Sequence, residues 1–222
     1  MKRFFGLFVL ILISSSVAAA PSGGSVAGSR AQPAQKSPEQ IAAQNFKSGT
    51  KALVKAHKYE AKLKTETSEK NQKKLQKKMD KAFSAAAKKF GVAVKNDPGL
   101  FQAHSDLGYV LRRLGDYDKS LIAYNKALEL NPNYGPAIEY RAEAYLGLGR
   151  LEEAKDAYMK LFGNDRPLAD KLLDAMMQWS NDTSQHPSSL NENELTEFSA
   201  WVDERMAIAK QTASLISPST DW

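Results

Sequence analysis

The chain of 222 residues contains no cysteine. It has no disulfide framework and no lipid-attachment cysteine, so its fold must rest on packing alone. Histidine is nearly as scarce. His57, His104 and His186 are far apart and fall in different segments. No HExxH, no GxSxG, no metal-spaced Cys or His pair and no phosphate-binding glycine loop occurs, which removes the usual metal, nucleophile and phosphate chemistries. Acidic pairs such as Glu152-Glu153 read as ordinary first-turn helix residues that complement the dipole. The chain therefore reads as non-enzymatic, with no cofactor, no metal site and no small-molecule substrate. Strand signals are missing too: no stretch alternates apolar and polar residues with β-branched enrichment. What remains is helix.

The first 20 residues stand apart. Lys2 and Arg3 precede an apolar run from Phe4 to Ile13, and Ser14 to Ala20 is a stretch of small residues ending in Val17-Ala18-Ala19-Ala20. This is the three-part layout of a secretory signal peptide, with cleavage expected after Ala19 or Ala20. The run is too short for an anchor, since a span needs about 20 apolar residues. The expected location is the periplasm of a bacterium. Residues 21–38 are rich in Ser, Gly, Ala, Pro and Gln without apolar periodicity, and read as a flexible linker.

Beyond the linker, three proline-terminated segments line up. AAAKKFGVAVKNDP ends at Pro98, SLIAYNKALELNP at Pro132, and AKDAYMKLFGNDRP at Pro167, one residue out of step with a 34-residue period. Between Phe101 and Tyr134, small and large residues recur in order as Leu107, Gly108, Leu111, Gly115, Tyr117, Ser120, Tyr124, Ala127 and Pro132. This unit resembles the tetratricopeptide repeat. Gly108 and Ala127 would let paired helices approach, Tyr124 would fill the space between them, and Gly115-Asp116 would turn the chain. The next unit keeps Tyr145, Gly149, Ala154 and Tyr158 but departs at Arg141, Ala142 and Leu161. The preceding unit keeps only its second half, Ala86, Phe90, Ala93 and Pro98. The resemblance implies an all-α fold, a short solenoid of antiparallel helix pairs with an elongated N-terminal hairpin and C-terminal capping helices.

The expected divisions are a Lys-rich helical hairpin over 39–97, two repeats over 98–166, a capping helix over 167–180, a loop over 181–190, a last helix over 191–216 and a loose tail over 217–222. In the hairpin, Thr67 or Ser68 is the expected N-cap of the second helix, along which Leu75, Met79, Phe83, Ala86, Phe90 and Ala93 form one apolar stripe. Leu168, Leu172, Met176 and Trp179 form the stripe of the capping helix, which a solenoid needs to cover its terminal unit. Ser189 and Glu192 have capping-box spacing before the last helix.

Charge is uneven. Between Lys47 and Lys95 the lysines far outnumber Glu60, Glu66, Glu69 and Asp80, and no arginine occurs, whereas acidic residues exceed basic ones from Asp97 onward. Lys70, Lys73, Lys74, Lys77, Lys78 and Lys81 are the densest part. Two readings stand: solvated faces of two long helices, or a surface that attracts an anionic envelope component such as phospholipid headgroups or an acidic polymer. Nucleic acid is not an expected partner, because the tract has few interleaved aromatics and no arginine for base-edge readout.

The resemblance also implies a concave groove lined by the first helix of each repeat, holding a protein or peptide partner. Its wall would carry Gln102, Ser105, Tyr109 and Arg112 in one repeat, and Glu139, Glu143 and Leu146 in the next. The set lacks the Asn and Lys pattern with which some members clamp a terminal carboxylate.

Overall fold

The computed structural model describes the backbone of residues 35–216 and the side chains of residues 35–212. The expected signal peptide, most of the linker and the tail over 217–222 lie outside the described residues. Eight α-helices follow one another: α1 (Pro38–Leu63), α2 (Glu69–Asn96), α3 (Phe101–Arg113), α4 (Tyr117–Leu130), α5 (Gly135–Gly147), α6 (Leu151–Asn164), α7 (Arg166–Asn181) and α8 (Glu192–Ile216), with a 3₁₀ turn at Thr183–Gln185. No strand occurs among the described residues. None of these helices is long and apolar enough to cross a membrane.

The helices pack as consecutive antiparallel pairs, α1 with α2, α3 with α4 and α5 with α6, followed by α7 and α8. At 26 and 28 residues, α1 and α2 are about twice the length of α3 to α6 and reach about 40 Å at 1.5 Å per residue. Local signals explain where each begins. Ser37 caps α1 in a reciprocal capping box with Gln40, and Pro38 occupies the first turn, where its missing N–H costs nothing. Asp116 caps α4 by accepting from the Lys119 N–H. Gly115, at φ 80°, supplies the left-handed turn between α3 and α4 that a side chain would strain. Pro98 and Pro132 follow the ends of α2 and α4, as expected. Pro167 instead sits in the first turn of α7.

Of the two expected caps, the first stands in position without its side-chain bond and the second is corrected. Ser68 holds the N-cap position of α2, but its side chain makes no capping bond; Glu66 accepts from the Ser68 N–H instead, at 3.0 Å. Ahead of α8 the capping box is Asn191 with Glu194, not Ser189 with Glu192. The Glu194 N–H donates to Asn191 Oδ1 at 3.0 Å, and the Asn191 N–H donates to Glu194 Oε2 at 2.8 Å. The reason is Leu190, which packs against the main core while its N–H closes a turn onto the Pro187 carbonyl. The helix starts only after that side chain is placed.

The core divides in two. Ala56, Met79, Ala82, Phe83, Ala86, Phe90 and Val110 hold the hairpin and join it to α3. A larger cluster runs from Leu121 and Tyr124 through Tyr145, Tyr158, Leu172, Met176 and Trp179 to Phe198 and Val202. Tyr109 packs against both. Along α2 the last buried residue toward the hairpin turn is Met79, and within the Lys70–Lys78 stretch only Gln72 and Leu75 are half-buried.

Candidate functional site

The first helices of the pairs, α1, α3, α5 and α7, form one wall. Each adjacent pair is joined by an ion pair: Glu60 of α1 with Arg113 of α3 at 2.8 Å, Arg112 of α3 with Glu143 of α5 at 2.7 Å, and Glu139 of α5 with Lys171 of α7 at 2.8 Å. Aromatic rings fill the spaces between them. Tyr109 and Tyr140 lie 5.0 Å apart, and the Arg112 guanidinium sits over both, 5.5 Å and 5.7 Å from the ring centres. Lys171 covers Tyr140 at 4.8 Å.

Arg113 can only donate, and its Nη1 is 2.9 Å from the Tyr109 hydroxyl oxygen. The His57 ring, through Nε2, lies 2.9 Å from the same hydroxyl, which keeps a lone pair and its own proton and so can accept from or donate to the ring. The tendency of His57 to ionise is lowered, first by burial and then by the Arg113 charge, with Glu60 opposing. Burial pulls the Glu60 carboxyl upward, but the Arg113 hydrogen bond and charge outweigh it and leave it below the ordinary value. Burial also raises Glu139, with Lys171 holding it back.

Asp106 of α3 differs from these. Burial alone pushes its carboxyl up to about 6, and it has no ion-pair or hydrogen-bond partner among the described residues.

Of the residues expected in the groove, Tyr109, Arg112 and Glu143 are brought together on this wall, half-buried. Gln102 is half-buried and makes no hydrogen bond among the described residues. Ser105 and Glu139 are corrected as contact residues: they are only 2% and 1% exposed. Ser105 is small enough to be enclosed where α3 meets its neighbours, and Glu139 is held inward by Lys171. Leu146 is likewise buried in the main core. The residues missed were His57, Glu60, Arg113, Tyr140 and Lys171. Tyr140 stands one 34-residue period after Asp106, a position that the register did not assign to the groove. His57 and Glu60 lie in the degenerate unit, where no register exists.

The six expected surface lysines, Lys70, Lys73, Lys74, Lys77, Lys78 and Lys81, are all exposed on α2. Lys73 pairs with Glu69, and Lys78 lies 5.9 Å over the Tyr59 ring. The other four have no carboxylate partner among the described residues.

Two family models named tetratricopeptide repeat match this chain, one over residues 101–134 and one over 123–156. This is a tetratricopeptide-repeat protein. Repeats of this family are non-catalytic protein-interaction modules. Over 116 residues the chain is 25% identical to the small glutamine-rich tetratricopeptide repeat-containing protein 2 of Mycosarcoma maydis, covering 52% of this chain and 32% of that one. It is 29% identical over 116 residues to the STIP1 homolog of Dictyostelium discoideum, covering 51% and 20%. An uncharacterised protein of Methanocaldococcus jannaschii is 40% identical over 57 residues, 26% of this chain and 66% of that one. The chain thus spans a third or less of the first two relatives. Among solved structures, the first tetratricopeptide domain of Spaghetti (RPAP3) bound to an HSP90 peptide superposes with a TM-score of 0.42 and 18% identity, covering 76% of this chain and 95% of that one. The TPR2B domain of yeast Sti1 in a pHsp70 complex gives 0.36 and 16%, covering 71% and 97%. At these scores neither superposition bears on what this chain binds.

Proposed function

We propose that this protein is an interaction module of the bacterial periplasm that holds an extended segment of a partner protein against the wall formed by α1, α3, α5 and α7. The observation that carries the reading is the convergence of Tyr109, Arg112, Tyr140 and Glu143 on that wall, two aromatic rings and a charge pair on adjacent helices. Aromatic rings and arginine are the side chains that most often anchor a partner. The periplasmic setting rests on the layout of residues 2–20. Fractionation with mass measurement of the mature chain tests it: recovery of an intact N-terminus in the cytoplasm overturns it.

Crosslinked capture from the periplasm tests the binding surface. The comparison is between the native chain and a Tyr109→Phe, Arg112→Gln variant, which keeps side-chain bulk in both places. Loss of a specific captured protein is expected. Equal recovery by the variant, folded to the same melting temperature, refutes the groove.

A second reading is favoured by the exposed lysines of α2. Lys70/Lys74, Lys73/Lys77, Lys74/Lys78 and Lys77/Lys81 are like-charged i,i+4 neighbours, each costing a helix about 0.2–0.5 kcal/mol. Such a surface suits an anionic lipid or polymer of the envelope. Sedimentation with phosphatidylglycerol vesicles should then fall steeply between low and high salt. Salt-independent sedimentation, or none at low salt, removes this reading.

A further inference from the structure

Gln102 and Asp106 stand one turn apart on α3, on the face that also carries Tyr109 and Arg113. Both are half-buried, and neither has a hydrogen-bond or ion-pair partner among the described residues. The oxygens of Asp106 keep some accessible surface, so the carboxylate is presented and not sealed in. The other carboxylates of α3 and α5 are already taken, Glu139 by Lys171 and Glu143 by Arg112. Tyr134, just ahead of α5, has its hydroxyl raised first by burial and then by the Asp106 charge, so the two are close neighbours. The Tyr134 ring meets Phe101 edge-on at 5.0 Å, and no cation among the described residues covers either ring.

We infer that Gln102 and Asp106, beside the Tyr134 and Phe101 rings, receive a lysine or arginine side chain of the bound partner segment. The inference rests on the reading that the wall holds such a segment, and names what one position of that segment must be.

The chemistry follows from what Asp106 lacks. A half-buried carboxylate has given up part of its hydration and has regained no donor from the chain. A cation supplies the missing charge and the missing N–H groups together, and hydrogen bonds to an ionised acceptor are the strong kind. The Gln102 amide oxygen can accept a further N–H. The Tyr134 and Phe101 rings offer an apolar surface for the alkyl stem and a π-face for the charge. An acidic side chain is repelled there, and an apolar one removes the remaining water without replacing it. At Glu139 or Glu143, by contrast, an incoming cation must first displace Lys171 or Arg112.

The test is a display selection of random segments of about twelve residues against the immobilised protein. Selected segments should carry Lys or Arg at one position, enriched at least tenfold. Changing that residue to Gln in a synthetic segment should weaken binding to the native chain at least tenfold. Against Asp106→Asn, which keeps the shape and loses only the charge, the same change should cost less than twofold. Thermal unfolding of Asp106→Asn alongside shows whether it is folded, and Asp106→Ser serves the same comparison if it is not. Segments selected without a basic preference, or a basic residue that matters equally in the native and substituted chains, overturn this inference and leave the groove reading standing. No selected segment at all removes both.

Discussion

Replacing Asp106 by asparagine should stabilise this protein at neutral pH and leave it unchanged in acid. Asp106 sits on α3 with no partner for its charge, and burial alone raises its carboxyl from 3.8 to about 6. A carboxyl with a raised folded-state value binds its proton more tightly in the folded chain. Its contribution to stability is therefore complete below about pH 4, declines as pH rises, and is lost above about pH 6. The interval corresponds to about 2–3 kcal/mol at 1.36 kcal/mol per tenfold change in proton affinity. Asparagine keeps the shape and never ionises, so Asp106→Asn removes this loss. Urea unfolding of both proteins at pH 3.5 and pH 7.5 measures it. The variant should gain about 2 kcal/mol at pH 7.5 and match the native chain at pH 3.5. The difference between the proteins is the quantity to read, because His57 acts in the opposite sense within each. Its ionisation is lowered by burial, so its contribution is present above about pH 6.5 and is lost as pH falls. A variant gain that is equal at both pH values, or a variant less stable at pH 7.5, refutes the argument and means that the carboxylate has a stabilising partner.

Three other outcomes follow from the packing. Gly108→Ala would place a methyl carbon 2.7 Å from ring carbons of the fully buried Tyr124. Overpacking should outweigh the better helix propensity of alanine and cost about 1–3 kcal/mol in denaturant unfolding; an unchanged midpoint would mean that α3 and α4 can separate freely. Glu60→Gln breaks the charge pair that ties the hairpin to α3. It should remove stability above about pH 4.5 and none in acid, because the carboxyl is held below its ordinary value; equal loss in acid would point to packing instead. Asn191→Ala removes one arm of the reciprocal cap of α8 and should cost about 0.5–2 kcal/mol, seen as faster amide exchange at 192–196; slow exchange there would mean that Leu190 packing alone holds the start of the helix.

How far residues announce their neighbours depends on whether a contact is periodic. The start of α2 after Ser68 and its end before Pro98 are legible in the sequence, because both are local signals read within one turn. The pairing of α3 with α4 was legible from Gly108 and Tyr124, since a small residue opposite a large one recurs at a fixed offset. Ser105 and Glu139 carried no such signal. Both occupy first-helix positions that the repeat register assigns to the groove, yet each is enclosed, and the distance to Lys171 that buries Glu139 depends on how α7 closes on α5.

Composition, the absence of cysteine, the helical period and the 34-residue spacing were enough to determine an all-helical repeat with a remodelled first unit and no catalytic set. These properties follow from interactions within one or two turns, or from a register that repeats. Only the tertiary structure decided that Glu60, Arg113, Arg112, Glu143, Glu139 and Lys171 form three rungs across successive helices. Only it left Asp106 without a counter-charge. Each of these depends on distances between side chains separated by 30 residues or more, or on the lack of a neighbour. Such distances are set by the angles at which helices cross, and no local sequence pattern encodes them.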